Sequence, residues 1–150
     1  ARALDAAALA RLEARVAASE RRHSGEIRIC VEASLPLAYL WRDASARERA
    51  IALFGKLRVW DTEHNNGVLV YLLLAERAIE IVADRGLGRH VSDAQWRAVV
   101  DALRADLQAG RFEAGLARAV DAVDALLARE FALPAGAANP NELPDRPVRR

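Results

Sequence analysis

A chain of 150 residues, 53% hydrophobic and 29% charged, is long enough for one domain with its own core and too apolar for wholesale disorder. Twenty-two basic against 21 acidic residues leave a net charge of +1, which argues against a dedicated nucleic-acid binder. The lone Cys30 excludes an internal disulfide framework and a Cys-based zinc site, and no apolar run reaches the ~18 residues of a membrane span.

The first helix is expected from about Leu4 to Arg22, with Asp5 at its start and Leu9, Leu12 and Val16 on one face. Arg21, Arg22 and His23 suit its C-terminal dipole end, and Gly25 its stop. Glu26 to Ala33 alternates Ile27, Ile29 and Val31 with Glu26, Arg28 and Glu32, the pattern of a strand with one buried face. Ser34 to Asp43 reads as a loop rich in large apolar residues. It either covers the core or offers a patch to a partner or lipid surface. Ser45 and Glu48 make a capping box that opens a second helix, with Ala50, Phe54 and Leu57 inside, Leu53 beside them, and an end near Trp60.

Asp61 to Gly67 is a polar turn. Val68 to Ala75 is continuously apolar, as a central strand covered on both faces would be. A tight turn at Glu76 and Arg77 leads into a third strand, Ala78 to Ala83. Asp84 to His90 is a glycine-punctuated loop. Gly86 and Gly88 lack the third glycine of a dinucleotide fingerprint and the lysine of a P-loop, so a flexible turn is the expectation. Ser92 and Gln95 form a second capping box. Trp96, Val99, Val100, Leu103 and Leu107 follow at helical spacing until Gly110, and Phe112 to Phe131 is the last helix.

The first two strands, joined through a helix, should be parallel with a right-handed crossover, and the next two antiparallel. Helices on both faces make this an α/β fold, a three-layer α/β/α sandwich around a small mixed sheet. A fourth short edge strand has room in Leu35 to Leu40. Residues 1–131 form the domain, and residues 132–150 a Pro-punctuated tail. Leu143 and Val148 are expected to anchor that tail on a neighbouring surface, its own or another copy's, its backbone groups met by water or side chains.

This topology brings polar residues to one rim. A turn centred on Glu76 and Arg77 sets Asn66 and Gly67 opposite the stretch Asp84 to Gly86, and Glu26 begins the parallel neighbour at the same edge. Asp61, Glu63 and His64 arrive from the second helix, Asn65 stands beside Asn66, and Asp93 leaves with the third. Carboxylate and amide oxygens at a loop rim are the ligand set of Ca²⁺ or Mg²⁺. The competing reading is an ion-pair network with Arg28, Arg47, Arg58, Arg85 and Arg89. His23, His64 and His90 lack zinc spacing and read as solvent-facing. Cys30 reads as a core thiol.

The segment NNGVLVYLLLAERAIEIVADRG, the preceding SARERAIALFGKLRVWDTEH and the following W-x₁₁-L-x₂-G-x-F-x₂-G resemble the TPM domain family. Its members include a thylakoid lumen phosphatase-like protein, a photosystem II repair factor, a nematode receptor modulator and many bacterial proteins. The likeness runs from about Leu4 to Phe131 and is strongest to the short bacterial form without a membrane helix. It implies the same sandwich fold. It also implies a polar rim at Asp61, Asn66 and Asp84, with Glu26 beside them, able to hold Ca or Mg. Relatives with a GYGLE-like stretch after the third strand have an acidic residue where this chain has Gly88.

Two functions follow from the resemblance. One is a non-catalytic, cation-binding module that engages a membrane-associated protein, such as a LemA-type membrane protein or a longer TPM protein, from a cytoplasmic or membrane-peripheral position. The other is a metal-dependent phosphomonoesterase, an acid-phosphatase-like hydrolase. There Asp61, Asp84 and Asn66 would hold the cation and Arg85 would clamp phosphate oxygens.

Overall fold

The computed structural model describes residues 5–19, 23–42, 44–62, 65–88, 90–131 and 148–149. Along the chain lie α1 (Ala6–Ser19), β1 (Glu26–Glu32), α2 (Leu37–Trp41), α3 (Ala46–Lys56), β2 (Gly67–Leu73), β3 (Ala78–Ala83), α4 (Asp93–Gln108), α5 (Phe112–Phe131) and β4 (Val148–Arg149). A 3-10 turn over Arg85–Leu87 joins β3 to α4. Asp5 caps α1 by accepting the Ala8 N–H at 2.8 Å. Both expected capping boxes are present, Ser45 with Glu48 on α3 and Ser92 with Gln95 on α4. Gly110, at φ 79°, turns the chain from α4 into α5 in a conformation that L side chains rarely adopt.

The sheet is mixed, in the order β3-β2-β1-β4. β1 and β2 run parallel from Glu26↔Gly67 to Glu32↔Leu73, and β2 and β3 antiparallel from Val68↔Ala83 to Leu73↔Ala78. One face carries Ile27, Ile29, Val68, Val70 and Leu72, packed against Leu12 and Val16 of α1, Val99 and Leu103 of α4, and Leu116, Val120 and Leu127 of α5. The opposite face carries Cys30, Leu69, Tyr71 and Leu73 under Ala50 and Leu53 of α3, with Leu35 and Val59. These two cores make the three-layer sandwich, and β2 is buried along its whole length.

Several expectations need correction. β1 is buried on both faces, so the side bearing Glu26, Arg28 and Glu32 is no solvent face. Alternation reports polarity, and here the polar side of the strand lies under the second layer. Residues Leu37 to Trp41 form a helix instead of loop or edge strand. Pro36 fixes φ at −56°, and its carbonyl accepts the N–H groups of Tyr39 and Leu40. The fourth strand comes from the tail: Val148 pairs with Cys30 and Arg149 with Val31, in parallel. Val148 therefore docks on the chain's own sheet, with strand pairing where water or side chains were expected. Leu143 lies outside the described residues, as do Leu4, Arg21, Arg22, Glu63, His64 and Arg89.

The β2–β3 turn spans Leu74 to Arg77, with the Arg77 N–H on the Leu74 carbonyl and Arg77 at φ 51°. This places the turn slightly earlier than the sequence suggested. As a result Asp84 itself faces Gly67, its N–H donating to the Gly67 carbonyl at 3.0 Å.

Candidate functional site at the strand-start rim

Glu26, Gly67 and Asp84 stand side by side across β1, β2 and the end of β3. Neighbours directly across a sheet project to the same face, so the two carboxylates flank a position without a side chain. The Val59 carbonyl fills that position, so closely that a Cβ on Gly67 would collide with it. The turn after α3 is thereby pressed onto the rim and brings Asp61 and Thr62 with it.

Asn66 is fully buried and held from three directions. Its N–H donates to Thr62 Oγ1 at 3.1 Å and its Nδ2 to Ser24 Oγ at 3.1 Å. Its backbone carbonyl faces Gly25, where an added Cβ would stand 3.1 Å away. Asp84 caps the 3-10 turn, Oδ1 accepting the Arg85 N–H at 2.7 Å. Two oxygens here, Asn66 Oδ1 and Asp84 Oδ2, are shielded from solvent with no hydrogen-bond partner in the structure. Orphan buried oxygens ask for a ligand, and hard oxygen donors suit Ca²⁺ or Mg²⁺ better than softer metals.

The other predicted rim residues stand apart. The Asp61 carboxylate is half exposed and bonded to Arg58 Nη2 at 2.6 Å. Arg85 is exposed, and Asp93 is exposed in the first turn of α4. The Asn65 carbonyl accepts the Gly86 N–H at 2.8 Å. Glu26, Asn66 and Asp84 are thus brought to one edge, with Asp61 at its margin. Among the described residues no three His, Cys, Asp or Glu side chains are grouped closely enough to hold a metal ion by themselves.

Two buried polar clusters escaped the sequence reading. Glu32 accepts Arg49 Nε at 2.9 Å and Arg49 Nη2 at 2.7 Å, and Tyr71 donates its hydroxyl to Glu32 Oε1 at 2.7 Å. Burial and the Glu32 bond hold the Tyr71 phenol above its ordinary range, and Glu32 raises the Arg49 guanidinium. Arg49 occupies an inner position of α3 beside Ala46, Ala50 and Leu53, and a charge at a core position was the available signal.

The second cluster corrects the solvent-facing reading of His23, which is fully buried. Its Nδ1 accepts the Gly25 N–H at 3.1 Å, which assigns the ring proton to Nε2. Nε2 lies 3.0 Å from Ser19 Oγ and 3.2 Å from Asp124 Oδ1. A serine nucleophile needs a free lone pair on the nitrogen it faces, and this tautomer offers none, so the trio is structural. Asp124 falls on the inner face of α5 between Val120 and Leu127, again a polar residue at a core position.

Among the described residues no helix is long and apolar enough to cross a membrane. The solved structure of the BA42 protein from the psychrophilic bacterium Bizionia argentinensis superposes with a TM-score of 0.84 at 25% identity, covering 97% of this chain and 94% of that one. The N-terminal domain of a protein from P. gingivalis gives a TM-score of 0.69 at 23% identity, over 85% of this chain and 78% of that one, and shows likeness of fold. Comparison with curated protein sequences finds no match. A family model described as the TPM domain matches residues 1–126. With the match spanning most of the chain and the sandwich shared with the two solved structures, the chain belongs to the TPM domain family.

Proposed function

We propose that this chain is a non-catalytic TPM module that engages a membrane-associated protein through α2, with the rim as a weak site for Ca²⁺ or Mg²⁺. The observation that carries this reading is the outer face of α2. Leu37, Leu40 and Trp41 are 64%, 51% and 83% exposed. Spaced i, i+3, i+4, they form one stripe. Tyr39 turns the other way and packs into the second core. Arg42 edges the stripe, stacked on Tyr39 at 4.9 Å and 3.6 Å from Glu48. Trp and Arg are residues enriched in interface hot spots, and a partner groove that is apolar with an acidic edge would complement Trp41 and Arg42.

Co-purification with a LemA-type membrane protein in detergent tests this directly. Trp41→Ser and Leu37→Ser should abolish the complex while vesicles of lipid alone fail to bind the chain. Binding unchanged by both substitutions overturns the reading. At the rim, Asp84 Oδ2 would be the buried donor on the face that Glu26 shares, with Asn66 at the neighbouring strand start and Asp61 available once released from Arg58. Donors from separate loops imply affinity of about millimolar to high micromolar.

The alternative reading, a metal-dependent phosphomonoesterase, draws support from the exposed guanidinium of Arg85 next to Asp84. A bound cation would supply an activated water there, Asp61 and Asp84 would hold it, and Arg85 would orient the phosphate oxygens. Phosphatase turnover that disappears in EDTA and in Asp84→Asn would favour it over the binding module.

A further inference from the structure

At the end of the sheet opposite the rim, a cavity of about 440 Å³ opens between the β2–β3 turn and the α4–α5 corner. Its volume lies within the usual range of small-molecule sites. Leu72, Ile79, Leu107 and Phe112 supply apolar walls, and Arg77 and Arg104 are the charged residues that line it. Among the described residues that line it there is no carboxylate. Both arginines are exposed. Arg77 has no ion-pair partner among the described residues, and Arg104 meets only Asp101, at 3.5 Å on the exposed helix surface, an ion pair of little worth. Arg77 also sits in the left-handed region at φ 51°, a conformation a non-glycine residue holds at a cost. The site lies at the turn end of the β2–β3 hairpin, where Leu72 to Leu74 and Ala78 and Ile79 line it from the sheet.

We infer that this cavity binds a small amphipathic monocarboxylate, its apolar body against Leu72, Leu107 and Phe112 and its carboxylate met by Arg77 and Arg104. An apolar wall alone would take neutral hydrocarbon, and two arginines alone would take any anion. Their combination selects molecules that carry both features. The inference is independent of the α2 surface and of the rim.

Titration of the full chain with decanoate, below its micelle concentration and followed by amide NMR shifts, tests the assignment. Saturable shifts are expected in residues 72–79 and 104–112, with decanol, the neutral analogue, binding more weakly. Arg77→Gln and Arg104→Gln lie on the surface and should leave the spectrum of the fold intact. Each should weaken decanoate binding by about tenfold, as loss of a charge-assisted hydrogen bond implies. The inference is overturned by the absence of saturable shifts up to about 1 mM. Shifts centred on α2, or affinity unchanged in the double arginine variant, also overturn it.

Discussion

Arg49 grips both oxygens of Glu32 inside the second core, at 2.9 and 2.7 Å, and both side chains are almost wholly buried. Removing one partner strands the other charge away from water. Arg49→Met should therefore cost about 3–5 kcal/mol in urea denaturation, and adding Glu32→Met together with Tyr71→Phe, so that the phenol is not left without its acceptor, should recover much of it. A combined variant as unstable as the single one would show that the pair itself, and not the stranded carboxylate, carries the energy.

The same carboxylate contributes to behaviour in alkali. The Tyr71 phenol is raised, first by burial and then by its bond to Glu32. A raised group lends stability that is complete below its unfolded pKa, about 10 for tyrosine, and fades as pH climbs above it. Stability should fall from about pH 10 upward, and Tyr71→Phe should flatten that fall while costing some stability at neutral pH. Chemical denaturation at a series of alkaline pH values measures both effects.

At the α4–α5 corner the sign is reversed. Asp106 Oδ1 accepts from Arg118 at 2.5 Å and from Arg111 at 3.1 Å, and chiefly the Arg118 bond holds its carboxyl below the ordinary value, against desolvation. A depressed carboxyl stabilises above its unfolded pKa, and the contribution disappears as pH drops through the folded value. Asp106→Asn should lower Tm at pH 7, and the gap to the parent chain should close on acidification below about pH 4.

Burial of β2 on both sides makes two distant substitutions equally informative. Leu72 faces the larger core and Leu69 the smaller, and each is at most 1% exposed. Leu72→Ala and Leu69→Ala should each cost about 2–5 kcal/mol. A loss below ~1 kcal/mol for Leu69→Ala would mean that α3 does not seal that face.

Gly67→Ala probes the joint between rim and core, because its methyl group would run into the Val59 carbonyl. A destabilisation of about 1–3 kcal/mol is expected, by displacement of the Val59 turn. Any Ca²⁺-induced rise in Tm should shrink with it, since the same turn carries Asp61. Asp84→Ala should remove that rise outright, and thermal shift in calcium chloride reads both.

Much of the architecture is legible in the sequence because it is written in local rules. Capping boxes at Ser45 and Ser92 fix two helix starts, the unbroken apolar run after Gly67 declares a central strand, and Phe112 to Phe131 keeps one periodicity throughout. The grouping of Glu26, Asn66 and Asp84 also follows from strand order alone. What periodicity could not reveal is which polar residues lie inside. Glu32, His23 and Asp124 look like surface residues one at a time. Two of them are tolerated in the interior because a partner distant in sequence or a backbone amide satisfies them, Arg49 and Tyr71 for Glu32 and the Gly25 N–H for the His23 ring, while the Asp124 carboxylate lies 3.2 Å from that ring. The pairing of Val148 with Cys30 is likewise a tertiary decision, since a two-residue strand has no pattern of its own and exists only where β1 offers an edge. Local propensity and hydrophobic period thus determine the elements and their order, while burial of charge, the closure of Val59 over Gly67 and the capture of the tail depend on contacts that no short window of sequence contains.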